Sequence, residues 1–95
     1  MPTGYSEVKT DHASRYLQQL CKHWSHKLDV AFDETKGSIV FQDGTKAELA
    51  AREGELLMEV SAGDEETLAR VEKVVADHLV RFAFRETLDI VWQTR

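Results

Sequence analysis

One cysteine, one proline and five glycines in 95 residues give this chain few covalent or conformational devices beyond its hydrophobic pattern. With Cys21 alone, no intramolecular disulfide can form, and nothing ties the protein to an oxidising compartment. Pro2 lies outside every expected element. No apolar run approaches the roughly 20 residues that a spanning helix needs. The opening Met1-Pro2-Thr3-Gly4 lacks the charged and apolar regions of a secretory signal, so cytoplasmic residence is expected. Positive charge is also scarce: 12 Lys and Arg against 17 Asp and Glu leave a net charge of -5. Such a field works against nucleic acid and anionic membranes, and neither is expected as a partner, although a local basic patch is compatible with it.

What is present describes an ordinary soluble domain. Hydrophobic residues at 42% and charged ones at 31% are globular proportions. A chain of 95 residues holds one core, and residues 1–95 are expected to form a single domain.

Along the chain, Gly4 to Lys9 has the weak alternation of a short strand. Thr10 or Asp11 then offers an oxygen to cap a helix. Ala13, Tyr16, Leu17, Leu20, Cys21 and Trp24 recur at spacings of three and four, which predicts a helix over about residues 11 to 26. The period then changes to two. Leu28, Val30 and Phe32 alternate with polar or small residues, Glu34 to Gly37 turns the chain, and Ser38 to Gln42 follows as a strand. Asp43-Gly44 is the composition of a type I′ hairpin turn. Thr45 to Arg52 and Glu55 to Ser61 read as two more strands around the turn Glu53-Gly54. A second helix opens at Gly63-Asp64 and carries Leu68, Val71, Val75, Leu79 and Phe82 inward, to about Arg85. Leu88, Ile90 and Trp92 alternate in a closing strand. The order is β-α-β-β-β-β-α-β: an α+β, two-layer sandwich whose antiparallel sheet has one face covered by two helices.

The runs Arg15 to Lys27, with His23-Trp24-Ser25-His26-Lys27 at their end, the Asp43-Gly44 hairpin, Asp77 to Phe82 and the closing Trp92 resemble the bacterial domain-of-unknown-function family numbered 2218. The likeness spans nearly the whole chain. It implies a compact α+β fold and a bacterial source; members are small, mostly stand-alone domains without an established activity. Some sit near iron and siderophore genes, and the resemblance carries over no catalytic residues.

Chemistry must therefore be sought in side-chain clusters. At about 100° per helical residue, His78, Arg81 and Arg85 share one flank of the second helix within roughly 60°. His12, Gln19, His23 and His26 line a polar flank of the first helix, with Cys21 turned well away. Three readings follow. In the first, His23, His26, His78, Arg81 and Arg85 form a non-enzymatic site for an anionic small molecule or acidic partner group, because guanidinium forks and imidazoles suit carboxylate or phosphate. In the second, His23, His26 and His78 ligate zinc or iron, metals that accept imidazole, against the opposing positive charge of the surrounding Lys22, Lys27, Arg81 and Arg85. In the third the residues serve the fold: Arg81 pairs with Asp77, Arg85 and Glu86 tie the helix end to the sheet, and the domain homodimerises or acts as a scaffold, with Phe84 as an exposed aromatic. A Cys21 nucleophile is disfavoured by its place on the apolar face, and Ser25 beside His26 cannot form a triad because neighbouring helical residues diverge. No cofactor is required.

Overall fold

The alternating apolar positions resolve into a single antiparallel sheet in the computed structural model, which describes residues 2–94. β1 (Thr3–Lys9) leads into α1 (Ala13–Trp24), and four strands follow: β2 (Asp29–Phe32), β3 (Lys36–Val40), β4 (Lys46–Arg52) and β5 (Glu55–Ser61). α2 (Glu65–Phe82) and the short β6 (Gln93–Thr94) complete the order. Across the sheet the strands run β2-β3-β4-β5-β1-β6, so the meander is extended by β1 and β6 on the far side of β5. This is the expected α+β architecture, with both helices on one face.

Register explains how the core forms. Ile39 lies opposite Ala47 and Ala47 opposite Val60, while Leu49 lies opposite Met58 and Val8 opposite Leu56. All are buried on the helix side. They meet Leu17, Leu20, Cys21 and Trp24 of α1 and Leu68, Val71, Val75 and Leu79 of α2. The other face of each strand is wetter, as an antiparallel sheet covered on one side requires.

Gly37 belongs to β3 and not to the preceding turn. The turn is made by Asp33, whose Oδ1 accepts from the backbone N–H of Thr35 and of Lys36, each at 2.8 Å. A Cβ on Gly37 would stand 2.6 Å from Cys21 Sγ, so glycine here lets α1 settle onto the sheet. The Asp43-Gly44 turn also differs from the type I′ expectation. Only Gly44, at φ 89°, has positive φ, and Phe41 N–H donates to the Thr45 carbonyl at 2.8 Å. A three-residue loop with glycine in the left-handed position, as in a G1 bulge, closes this hairpin.

Helix boundaries are tighter than the hydrophobic lines imply. Thr10 Oγ1 accepts from His12 N–H at 3.1 Å before α1 begins, and Asp64 Oδ1 accepts from Thr67 N–H at 2.7 Å to cap α2. α2 ends at Phe82, with Ala83 N–H donating to the Leu79 carbonyl at 2.9 Å. Among the described residues, the closing segment pairs only through Gly4 with Thr94 and Tyr5 with Gln93. Leu88, Ile90 and Trp92 nevertheless pack on the core. Alternation identified their inward side, but burial of those side chains does not require a ladder. Among the described residues, no helix is long and apolar enough to cross a membrane.

Candidate functional site

Burial of Leu17, Leu20 and Trp24 fixes the rotation of α1, and His23, one step round from Trp24, falls at the margin facing α2. Leu79 and Val75 do the same for α2 and bring His78 to the matching margin. The His23 and His78 ring centroids are 4.9 Å apart. Trp24 lies 4.8 Å from His78, Phe82 lies 5.8 Å from His23, and Phe41 lies 5.6 Å from Trp24. His23 and His78 thus meet inside an aromatic shell, which sequence spacing did not signal. Trp24, Phe41 and Phe82 read there only as core or strand residues.

His78 Nδ1 is 2.7 Å from the Val74 carbonyl oxygen. A carbonyl only accepts, so Nδ1 is the donor and Nε2 is the nitrogen open to a proton or a ligand. His23 keeps an exposed edge, yet the neighbouring rings strip part of its hydration. That burial lowers its pKa below the ordinary 6.5, reinforced by His78, Arg81, Lys27 and His26. His26 and Lys27 follow the end of α1 and act on His23 through charge. Asp77, expected beside Arg81, instead pairs with Lys73 at 2.8 Å. Among the described residues, Lys22, Lys27, Arg81 and Arg85 enter no ion pair, and neither do Arg15 and Lys36, whereas Lys9, Lys46, Arg52, Arg70 and Lys73 all do. Lys27 and Arg81 therefore act on His23 without an ion pair among the described residues, on a chain of net charge -5.

Arg85 is placed differently from its expected flank. Because α2 stops at Phe82, Arg85 leaves the helical sector and its guanidinium carbon lies 5.5 Å from the centre of the Phe84 ring. Phe84 is 78% exposed. Glu86 does tie this end down, but through hydroxyls: its Oε2 accepts from Tyr16 at 2.5 Å and from Thr10 at 3.3 Å. Burial, then the Glu86 contact, pushes the Tyr16 pKa up to about 12. That centre is a buried structural contact.

Metal ligation finds two imidazoles here and little more. Among the described residues, no group of three or more His, Cys, Asp or Glu side chains is placed to hold a metal ion. Cys21 is buried against Gly37, and burial pushes its pKa up to about 11, so the thiol stays protonated and inert near neutrality.

Besides a hollow of about 400 Å³ by Asp11, Glu34 and Glu53, two concavities among the described residues flank the sheet. The larger, about 720 Å³, is a broad hollow over the uncovered face, with Ala50 and Leu57 on its floor. Of the cations in its lining, Arg52 is paired with Glu55 at 4.0 Å and Lys36 lies beside the Asp33 carboxylate. The smaller, about 320 Å³, runs between α2 and the β2–β3 side, lined by Leu28, Phe41, Val71 and Val74 and ending at Asp43 and Arg70. It adjoins the histidine pair through Phe41, which touches Trp24, and Val74, which holds His78.

The chain is similar to a solved structure, the NMR structure of PA4090 from Pseudomonas aeruginosa. The two share 44% identity over 98% of this chain and 96% of that one, with a TM-score of 0.82. No curated protein matches the chain. The family model for uncharacterised proteins conserved in bacteria, domain of unknown function 2218, matches residues 5–93, and the chain belongs to that family.

Proposed function

We propose that this protein is a non-enzymatic binding module that holds a small anionic molecule at His23, His78 and Arg81, with His26 and Lys27 adding positive charge. The observation that carries the reading is the 4.9 Å approach of the His23 and His78 rings beside Lys27 and Arg81, which enter no ion pair among the described residues. An oxyanion can accept from the Arg81 fork and from protonated imidazole, and each such charge-assisted bond is stronger than a neutral one. Arg85, stacked on Phe84, is not counted in the site. A cation would meet the positive charge that adds to burial in depressing His23, and the described residues supply no third metal ligand. Cys21, the one thiol, is buried with its pKa raised and offers no thiolate to the histidine pair.

Titration of the protein with inorganic phosphate and with acetate, followed by amide and imidazole NMR shifts, tests the reading. Saturable changes at His23, His78 and Arg81 that vanish in Arg81→Gln support it. No saturable change with any anion removes it.

A further inference from the structure

Val71, Val74, His78 and Arg81 occupy one flank of α2, within a sector of about 80°. The first two line the apolar groove and the last two the basic mouth, so a single helix flank passes from hydrocarbon to cationic surface. About 10 Å separates the levels of Val71 and His78 along the axis. On the opposite wall, Leu28 and Phe41 continue the apolar lining, and Phe41 leads through Trp24 to His78. The far end has the reverse character. There Arg70 is already paired with Asp43 at 3.1 Å, and the Asp43 carboxylate would repel a second acid group.

We infer that the anion is a monocarboxylate with an apolar body, its head group at His23, His78 and Arg81 and its body laid past Trp24 and Phe41 into the groove of Leu28, Val71 and Val74. This rests on the anion-binding reading above and specifies its ligand class. The groove, about 320 Å³, is at the small end of ligand sites, which points to a medium-chain or aryl-substituted acid and not a long-chain lipid. The one-ended distribution of charge sets the orientation, because only the histidine end offers unpaired cations.

The test is a chain-length series on the whole protein: acetate, butanoate, hexanoate and octanoate, with inorganic phosphate and 1-octanol as controls, read by NMR. Affinity is expected to rise by up to about fourfold for each fully buried methylene. Shift changes should extend from His23, His78 and Arg81 to Phe41, Val71 and Val74. Val74→Trp, which fills the groove, should abolish the length dependence while acetate still binds. If that variant does not fold, intermolecular NOEs from the octanoate methyl to Phe41 and Val71 in the parent protein decide the point. Acetate and phosphate binding without length dependence would overturn the ligand class and leave the anion reading standing. Octanol binding as tightly as octanoate would overturn the assignment of the head group. Silence from every probe would remove both.

Discussion

His78 donates through Nδ1 to the Val74 carbonyl at 2.7 Å, and that bond selects Nε2 as the nitrogen available at the mouth between the helices. The neutral ring is therefore expected as the Nδ1–H tautomer. Imidazole ¹⁵N shifts at pH 7.5 check this: an Nε2–H pattern for His78 would contradict the arrangement. Anion binding should then draw the spectrum toward the doubly protonated ring.

Stability should depend on pH through His23. Its folded pKa lies below its unfolded value, so the unfolded chain binds more protons as pH falls. The resulting stabilisation is present above the unfolded value of about 6.5 and is lost as pH drops below it. In anion-poor buffer, His23→Gln should flatten the decline in Tm between pH 7.5 and 5.5. Added phosphate should offset the decline in the parent, because the bound anion favours protonated His23. A Tm profile identical in parent and variant would show that His23 is not responsible.

Gly37→Ala should destabilise the fold by about 1–3 kcal/mol through overpacking. The new methyl would stand 2.6 Å from Cys21 Sγ and 3.3 Å from Leu17 Cδ2, both in the buried core. Adding Cys21→Ala should recover part of the loss, and a double-mutant cycle by urea denaturation measures the coupling. Purely additive effects would mean that the two residues do not compete for the same space.

Tyr16→Phe removes the stronger of two hydroxyl bonds to Glu86 Oε2. A loss of about 1–3 kcal/mol is expected for a bond to a charged acceptor. Amide exchange should accelerate in residues 86–94, whose ladder pairing is confined to Gly4–Thr94 and Tyr5–Gln93. Unchanged exchange there would show that packing of Leu88, Ile90 and Trp92 alone holds the segment.

Much of the scaffold was legible in hydrophobic period. Leu17, Leu20 and Trp24 on one helix and Leu68, Val71, Val75 and Leu79 on the other are buried as their spacing implies, and the alternating residues of β4 and β5 are buried on one face. Features decided by tertiary contact were not. Gly37 looked like a turn residue because its actual constraint, Cys21, belongs to another element. Arg85 looked helical because sequence period does not locate a helix end to within a turn, and α2 stops at Phe82. In the candidate site, the residue types on each flank were visible, but their convergence was not: the His23–His78 approach depends on how two helices seat on one sheet. The contribution of Trp24, Phe41 and Phe82 was hidden for a related reason, since an aromatic at a core spacing carries no mark of the neighbour it will meet.

The most direct measurement is a phosphate titration of the parent protein and Arg81→Gln at pH 6.5, monitored through backbone amides and the imidazoles of His23 and His78. A single saturable transition confined to those histidines, Arg81 and their neighbours, weakened at least fivefold in Arg81→Gln, is the predicted result. Shifts that are unsaturable, scattered over the surface, or equal in the two proteins would contradict an anion site between the helices.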